Sequence, residues 1–272
     1  MNFDGRKTMR TLSIIIAILG FTVSTNAQNM LSGKEIYRIN RDCIAQISAG
    51  NEFGNGFVTS ADGIIVTANH VVATRDSHFK QYASNIKVAI FHNGLPTFNL
   101  ATPVAPQISD DQVNFDYAKL KINASNLPHV VLGSSKEINI GDQITIIPSF
   151  PGIGTMLLQG IVSNTAAFKI DLGPKLVDTI LFQCPVRNGF SGSPIFNSKG
   201  HVIGIVDTKV FGISPALDNL RTKWKESQTG GGAVIFMGVD LASSFLEVIN
   251  NLDQNLISGL GSGVAIDYVK QQ

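Results

Sequence analysis

The chain has 272 residues, 44% of them hydrophobic and 15% charged, with 26 glycines. That is enough apolar material for one large or two small packed cores, which excludes a disordered or fibrous chain. Lysine and arginine number 21 against 20 acidic residues and gather in no stripe, so no summed field exists to hold nucleic acid or an anionic lipid surface.

Arg6, Lys7 and Arg10 precede an apolar run from Leu12 to Val23. Ser24-Thr25-Asn26-Ala27 then offers the small residues that a signal peptidase reads. The run falls well short of the about 20 residues needed to span a bilayer as a helix. Residues 1–27 are therefore expected to be a cleaved signal peptide, leaving a periplasmic or secreted chain with no stable membrane anchor. Cys43 and Cys184 are the only cysteines. In an exported protein they permit one disulfide, and spacing leaves both that pairing and two separate thiols open. No CxxC and no His/Cys cluster stands at ligand spacing, so no metal site is expected.

Short stretches rich in valine, isoleucine and phenylalanine follow, punctuated by glycine and asparagine: Ile44 to Ser48, Gly56 to Ser60, Ile64 to Ala68, Ile86 to His92 and Tyr117 to Ile122. A second group comprises Gln143 to Pro148, Met156 to Ser163, Thr179 to Gln183, Pro194 to Phe196, His201 to Lys209 and Val234 to Val239. Two such groups predict an all-β chain of two packed β units, the first over about 40–125 and the second over about 129–240. Between Thr208 and Gly232, Leu217, Leu220 and Trp224 fit a short amphipathic helix. Asp240 stands as an N-cap before Leu241, Phe245, Leu246, Ile249 and Leu252, which share one face of a helix over 241–252. That face is expected to pack on the second β unit. Residues 253–272 are glycine-spaced and carry no assignment, and no internal repeat is visible.

Acyl transfer by serine needs a hydroxyl, a histidine to take its proton, a carboxylate to orient that histidine, and paired N–H donors for the oxyanion. Asn188-Gly189-Phe190-Ser191-Gly192-Ser193-Pro194 supplies the first and last of these. Its glycines let the backbone turn tightly and leave the Gly189 and Ser191 amides free to face one anion. Thr67-Ala68-Asn69-His70-Val71-Val72 places a histidine at the mouth of a buried strand, whereas His78, His92, His129 and His201 lack such a setting. Asn114-Phe115-Asp116-Tyr117-Ala118-Lys119-Leu120 starts an alternating strand with a carboxylate. Taken alone, Asp110 and Asp111 compete with it.

In the order His70, Asp116, Ser191 these three segments resemble the motifs of trypsin-like serine peptidases, from about Ile44 to Leu252. Among branches the chain is most similar to the bacterial HtrA-like peptidases and glutamyl endopeptidases, without a PDZ domain. The resemblance implies two six-stranded antiparallel barrels with a C-terminal helix and an endopeptidase acting on protein or peptide substrates. It gives Ser191 as nucleophile, His70 as general base and then acid, Asp116 as its orienter, Gly189 and Ser191 as the oxyanion hole, and no cofactor. An esterase of the α/β-hydrolase type would need the order Ser, Asp, His. A catalytically silent binding or chaperone-like relative is the alternative. Phe190 stands where digestive enzymes carry an aspartate that pairs with a new N-terminus, so that activation switch is not expected. The resemblance also puts Pro185, Phe190, Val206 and Asp207 at the substrate pocket. Pro185 carries no charge, which points to small or apolar side chains at P1, the residue before the cut bond. Asp207 is the one acidic group near, facing a subsite or solvent.

Overall fold

The computed structural model describes residues 30–169, 176–209, 215–229, 235–255 and 258–270. The expected signal peptide lies outside them. Helix α1 (Gly33–Asn40) opens the described chain on a capping box: Ser32 accepts from the Glu35 amide, and the Glu35 carboxylate accepts from the Ser32 amide.

Strands β1 (Ile44–Ala49), β2 (Glu52–Val58), β3 (Ile64–Thr67), β4 (Lys87–His92), β5 (Leu95–Pro103) and β6 (Ala118–Ile122) close into an antiparallel barrel in the order β1-β2-β3-β6-β5-β4. The pleat is plain in β6, where Ala118, Leu120 and Ile122 point into the core while Lys119 and Lys121 face out. Two short helices interrupt this barrel, α2 (Asn69–Val72) after β3 and α3 (Asp110–Asn114) before β6. β5 went unread in the sequence because its apolar side chains do not alternate inward: Leu95, Phe98 and Leu100 are all exposed.

The second barrel comprises β7 (Gln143–Ile146), β8 (Leu158–Asn164), β9 (Leu176–Val186), β10 (Pro194–Phe196), β11 (His201–Lys209) and β12 (Ser258–Ala265). Its order is β8-β7-β10-β11-β12-β9, and pairing of β8 with β9 closes the ring. Strand for strand this is the ring of the first barrel, so the two units share one topology without sharing a sequence repeat. The expected trypsin-like fold of two six-stranded antiparallel barrels is what the chain adopts.

The sixth strand of the second barrel differs from its expected place. Of the stretch Val234 to Val239, the described residues do not enter the barrel: Ile235–Phe236 and Val239–Asp240 form a separate hairpin. The unassigned tail supplies β12 instead, between β9 and β11. Its glycines are the reason it fits: a Cβ on Gly261 would lie 2.5 Å from the buried Phe182 ring. The helix over 241–252 therefore precedes a barrel strand. It is α5 (Leu241–Asn255), and Asp240 caps it by accepting from the Ala242 amide. Its apolar face is shared: Ala242, Leu246 and Ile249 are buried, while Phe245 packs on Trp224 of α4 (Pro215–Thr229), ring centroids 5.0 Å apart. Helix α6 (Asp267–Lys270) ends the described chain, and its Asp267 accepts from Ser134 and Ser135.

Cys43 lies in the first core and Cys184 in the second, both as free thiols. Burial pushes them up to about 12 and about 11, so neither offers an accessible thiolate.

Candidate active site

His70 sits on α2, three residues after the end of β3, and its side chain is 24% exposed. Asp116 is fully buried and follows α3 in a left-handed backbone conformation, φ 43°. The helix end explains it. Tyr117 N–H reaches Gln112 O and Asp116 N–H reaches Val113 O, the paired bonds of a Schellman motif whose left-handed position usually holds glycine. An aspartate tolerates that conformation better than most residues, at a cost in strain. In return the carboxylate is aimed at His70: Asp116 Oδ2 lies 2.7 Å from Nδ1, and Oδ1 accepts from the His70 amide at 2.9 Å. Asp110 and Asp111, the competitors by sequence, lie in the first turn of α3.

Burial alone would raise the Asp116 carboxyl, but the facing imidazole and hydrogen bonds from His70 and Asp207 hold it below its ordinary value. Burial alone would lower His70. The charges of Asp116, then Asp207 and Glu52, outweigh it and push the imidazole up to about 9.

Ser191 stands in the loop between β9 and β10. The Phe190 N–H donates to Arg187 O at 3.2 Å, and Gly189 has φ 90°. A bonded turn with positive φ at its third residue is type II, the form in which the central peptide is flipped relative to type I. Among the described residues the Gly189 and Ser191 amides donate to no protein acceptor, whereas Gly192 and Ser193 are both engaged, with Val206 O and Phe190 O. The loop thus carries two uncommitted N–H groups next to one hydroxyl, an arrangement that can hold an oxyanion. The Ser191 hydroxyl itself donates to Asp207 O at 2.9 Å and makes no hydrogen bond with His70. Contacts of this kind commonly tighten only when substrate is present.

The residue that binds this loop to the first barrel, Asn55, was not singled out by sequence. It is fully buried on β2. Its amide donates to Ser191 O at 2.7 Å, its Nδ2 donates to Gly189 O at 2.6 Å, and its Oδ1 accepts from Ser149 N at 2.7 Å. Gly192 passes so close that a Cβ there would lie 1.9 Å from Asn55 O. The one local signal was the pair of glycines flanking it, Gly54 and Gly56.

Of the four residues expected at a pocket, Pro185 is exposed on β9, whereas Phe190 and Val206 are buried in the second core. Of the two orientations open for Asp207 in the sequence, a subsite or solvent, the structure removes solvent. Asp207 is 5% exposed, and Oδ1 lies 3.9 Å from His70 Nδ1. It stands where the register of β11 against β12 shifts, between Val206 and Thr208, with its side chain turned inward beside the histidine. His70, Asp116 and Asp207 together present one ring nitrogen and two carboxyls within 4.8 Å, close enough to share a cation, and the 2.7 Å Nδ1–Oδ2 separation is that of a direct hydrogen bond.

Known proteins resemble this chain in sequence and in fold. Residues 54–205 match the model of the trypsin-like peptidase domain. The chain is 32% identical over 209 residues to a probable periplasmic serine endoprotease DegP-like from Pseudomonas fluorescens, covering 71% of this chain and 40% of that protein. It is 34% identical over 180 residues to serine protease HTRA1B from Danio rerio, covering 64% and 34% respectively. The chain thus spans about two fifths or less of these relatives' length. Among solved structures it shares its fold with the HtrA-type protease AlgW with tripeptide, with a TM-score of 0.60 and 23% identity over 88% of this chain and 62% of that one.

Proposed function

Since this chain belongs to the trypsin-like peptidase family, we propose that it is a serine endopeptidase working through Ser191, His70 and Asp116. The observation that supports this most is the 2.7 Å His70–Asp116 contact beside the uncommitted Gly189 and Ser191 amides. On substrate binding the Ser191 hydroxyl turns from Asp207 O to His70 Nε2. Nε2 removes its proton as Oγ attacks the scissile carbonyl carbon, and Asp116 holds Nδ1–H and stabilises the imidazolium. The carbonyl oxygen, now negative, accepts from Gly189 and Ser191 N–H. The proton on Nε2 passes to the leaving amine, and water repeats the sequence on the acyl-enzyme.

Protein or peptide chains are the substrates, with small or apolar residues such as valine, alanine or leucine at P1. The inward turn of Asp207 supports this reading, since it leaves Pro185 as the expected pocket residue without a carboxylate, and a buried arginine or lysine without a partner is costly. kcat/KM for matched peptides differing only at P1 tests it; an advantage of about tenfold or more for arginine, lysine or glutamate over valine overturns it. The basic and apolar N-terminal segment, and relatives whose name places them in the periplasm, support export with cleavage after Ala27. Among the described residues no helix is long and apolar enough to cross a membrane.

A fluorophosphonate probe tests the chemistry directly. It should label Ser191, and Ser191→Ala or His70→Ala should abolish labelling and lower the peptidase rate by about 10⁴- to 10⁶-fold. The Ser191–Asp207 bond is the one observation that favours the alternative, a silent relative; absence of labelling in the folded protein would establish that reading.

A further inference from the structure

Asp207 is a carboxyl group buried against another carboxyl group. Its carboxyl lies within 4.8 Å of the Asp116 carboxyl and the His70 ring nitrogen, and the same Asp116 accepts twice from His70. Two buried carboxyls this close disfavour ionising together, and because Asp116 already accepts twice from His70, the shared proton falls to Asp207. Asp207 also lies 3.9 Å from His70 Nδ1, on the ring edge that Asp116 already engages. The cluster therefore holds two sites, Asp207 and His70, that draw on one proton. With the proton on Asp207, a single negative charge faces the imidazole and Nε2 is a free base. With the proton moved to His70, two negative charges flank an imidazolium, which is stable but cannot accept a proton from Ser191. The other charged group bearing on His70 is Glu52 of β2, whose carboxylate pairs with Arg75 at 3.1 Å.

We propose that Asp207 is a positioning residue that shares one proton with Asp116 and His70, so that the three side chains titrate as a unit and Asp207 sets the pH at which His70 becomes a free base. The proposal rests on His70 being the general base, and goes beyond it: the residue sits on β11, far in sequence from His70 and Asp116, and acts through them. Its backbone adds a second link, since the Ser191 hydroxyl waits on Asp207 O. One residue thus contacts both ends of the proton path.

The test is the pH profile of kcat/KM for the full chain and for Asp207→Asn, which keeps a donor toward Asp116 and removes the charge. The acid limb of the variant should move to lower pH by about one unit or more, an about tenfold gain low on the limb, with KM unchanged. Asp207→Ser, which offers a hydroxyl, should repeat the shift. A purely structural role predicts profiles that superimpose, and that result overturns the proposal. The ring nitrogen resonances of 15N-labelled histidine, followed against pH in both proteins, read the same titration without catalysis. A shifted His70 midpoint in a chain that cleaves no peptide upholds the shared proton and removes the peptidase reading; coincident midpoints overturn the shared proton whatever the chain cleaves.

Discussion

Replacing Asn55 by alanine should separate the role of this residue in holding the oxyanion loop from its role in holding the fold. The substitution removes two side-chain hydrogen bonds, a part-buried one to Gly189 O and a buried one from Ser149 N, and leaves the backbone bond to Ser191 O intact. Each lost bond costs about 0.5–1.5 kcal/mol net, and each stranded backbone partner adds desolvation of about 1–3 kcal/mol where water cannot reach it. Together these come to about 3–9 kcal/mol, a large part of a typical stability of about 5–15 kcal/mol. The kinetic effect follows from Gly189: its carbonyl is no longer fixed, so its N–H, one of the two proposed oxyanion donors, loses its orientation. Complete loss of such a donor costs about 10²–10³ in kcat. Partial loss of alignment should cost about 10–100-fold, in kcat and not in KM, because the donor meets its charge only in the transition state. Asn55→Asp is the companion, keeping the acceptor for Ser149 N while setting a carboxylate against Gly189 O. Urea unfolding and steady-state kinetics are the assays. A folded Asn55→Ala protein with a lowered urea midpoint and kcat within about threefold of the parent would refute the reasoning.

Two further outcomes follow. Gly192→Ala places a Cβ 1.9 Å from Asn55 O at φ 84°, so it should cost at least about 3 kcal/mol by urea unfolding; a soluble, equally stable variant contradicts the close approach. The His70 imidazole is raised from 6.5 to about 9 in the folded chain, so its ion pair with Asp116 stabilises fully below about pH 6.5 and that contribution is lost as pH rises through about 9. The gap in urea midpoint between the parent and His70→Gln should narrow across that interval, and a gap that widens reverses the sign.

His70, Asp116 and Ser191 were legible because each belongs to a short contiguous segment whose shape is set locally: a buried strand end, the start of an alternating strand, a glycine turn. Asn55 was not, since its side chain acts on partners 94 and 134 residues away, and nothing in its own neighbourhood announces them. Asp207 was recognised as a nearby carboxylate, but which way it points depends on the register of β11 against β12, a strand that was itself unread. Glycine-spaced Ser258–Ala265 shows neither alternation nor an apolar run, because its fit is decided by Phe182 and other side chains of its neighbours. Helix α1, by contrast, had a readable signal in Ser32 and Glu35 that went unused.

The late position of β12 sets an order of events during synthesis. His70, Asp116 and Ser191 are all polymerised before the strand that inserts between β9 and β11. Until residues 258–265 leave the ribosome, those two strands present open edges, and β11, which carries Asp207, lacks one of its neighbours. A growing chain therefore holds all three of these side chains while unable to close the barrel around them. Closure also waits on a pairing between segments nearly eighty residues apart, β9 with β12, a separation of the kind that makes folding slow.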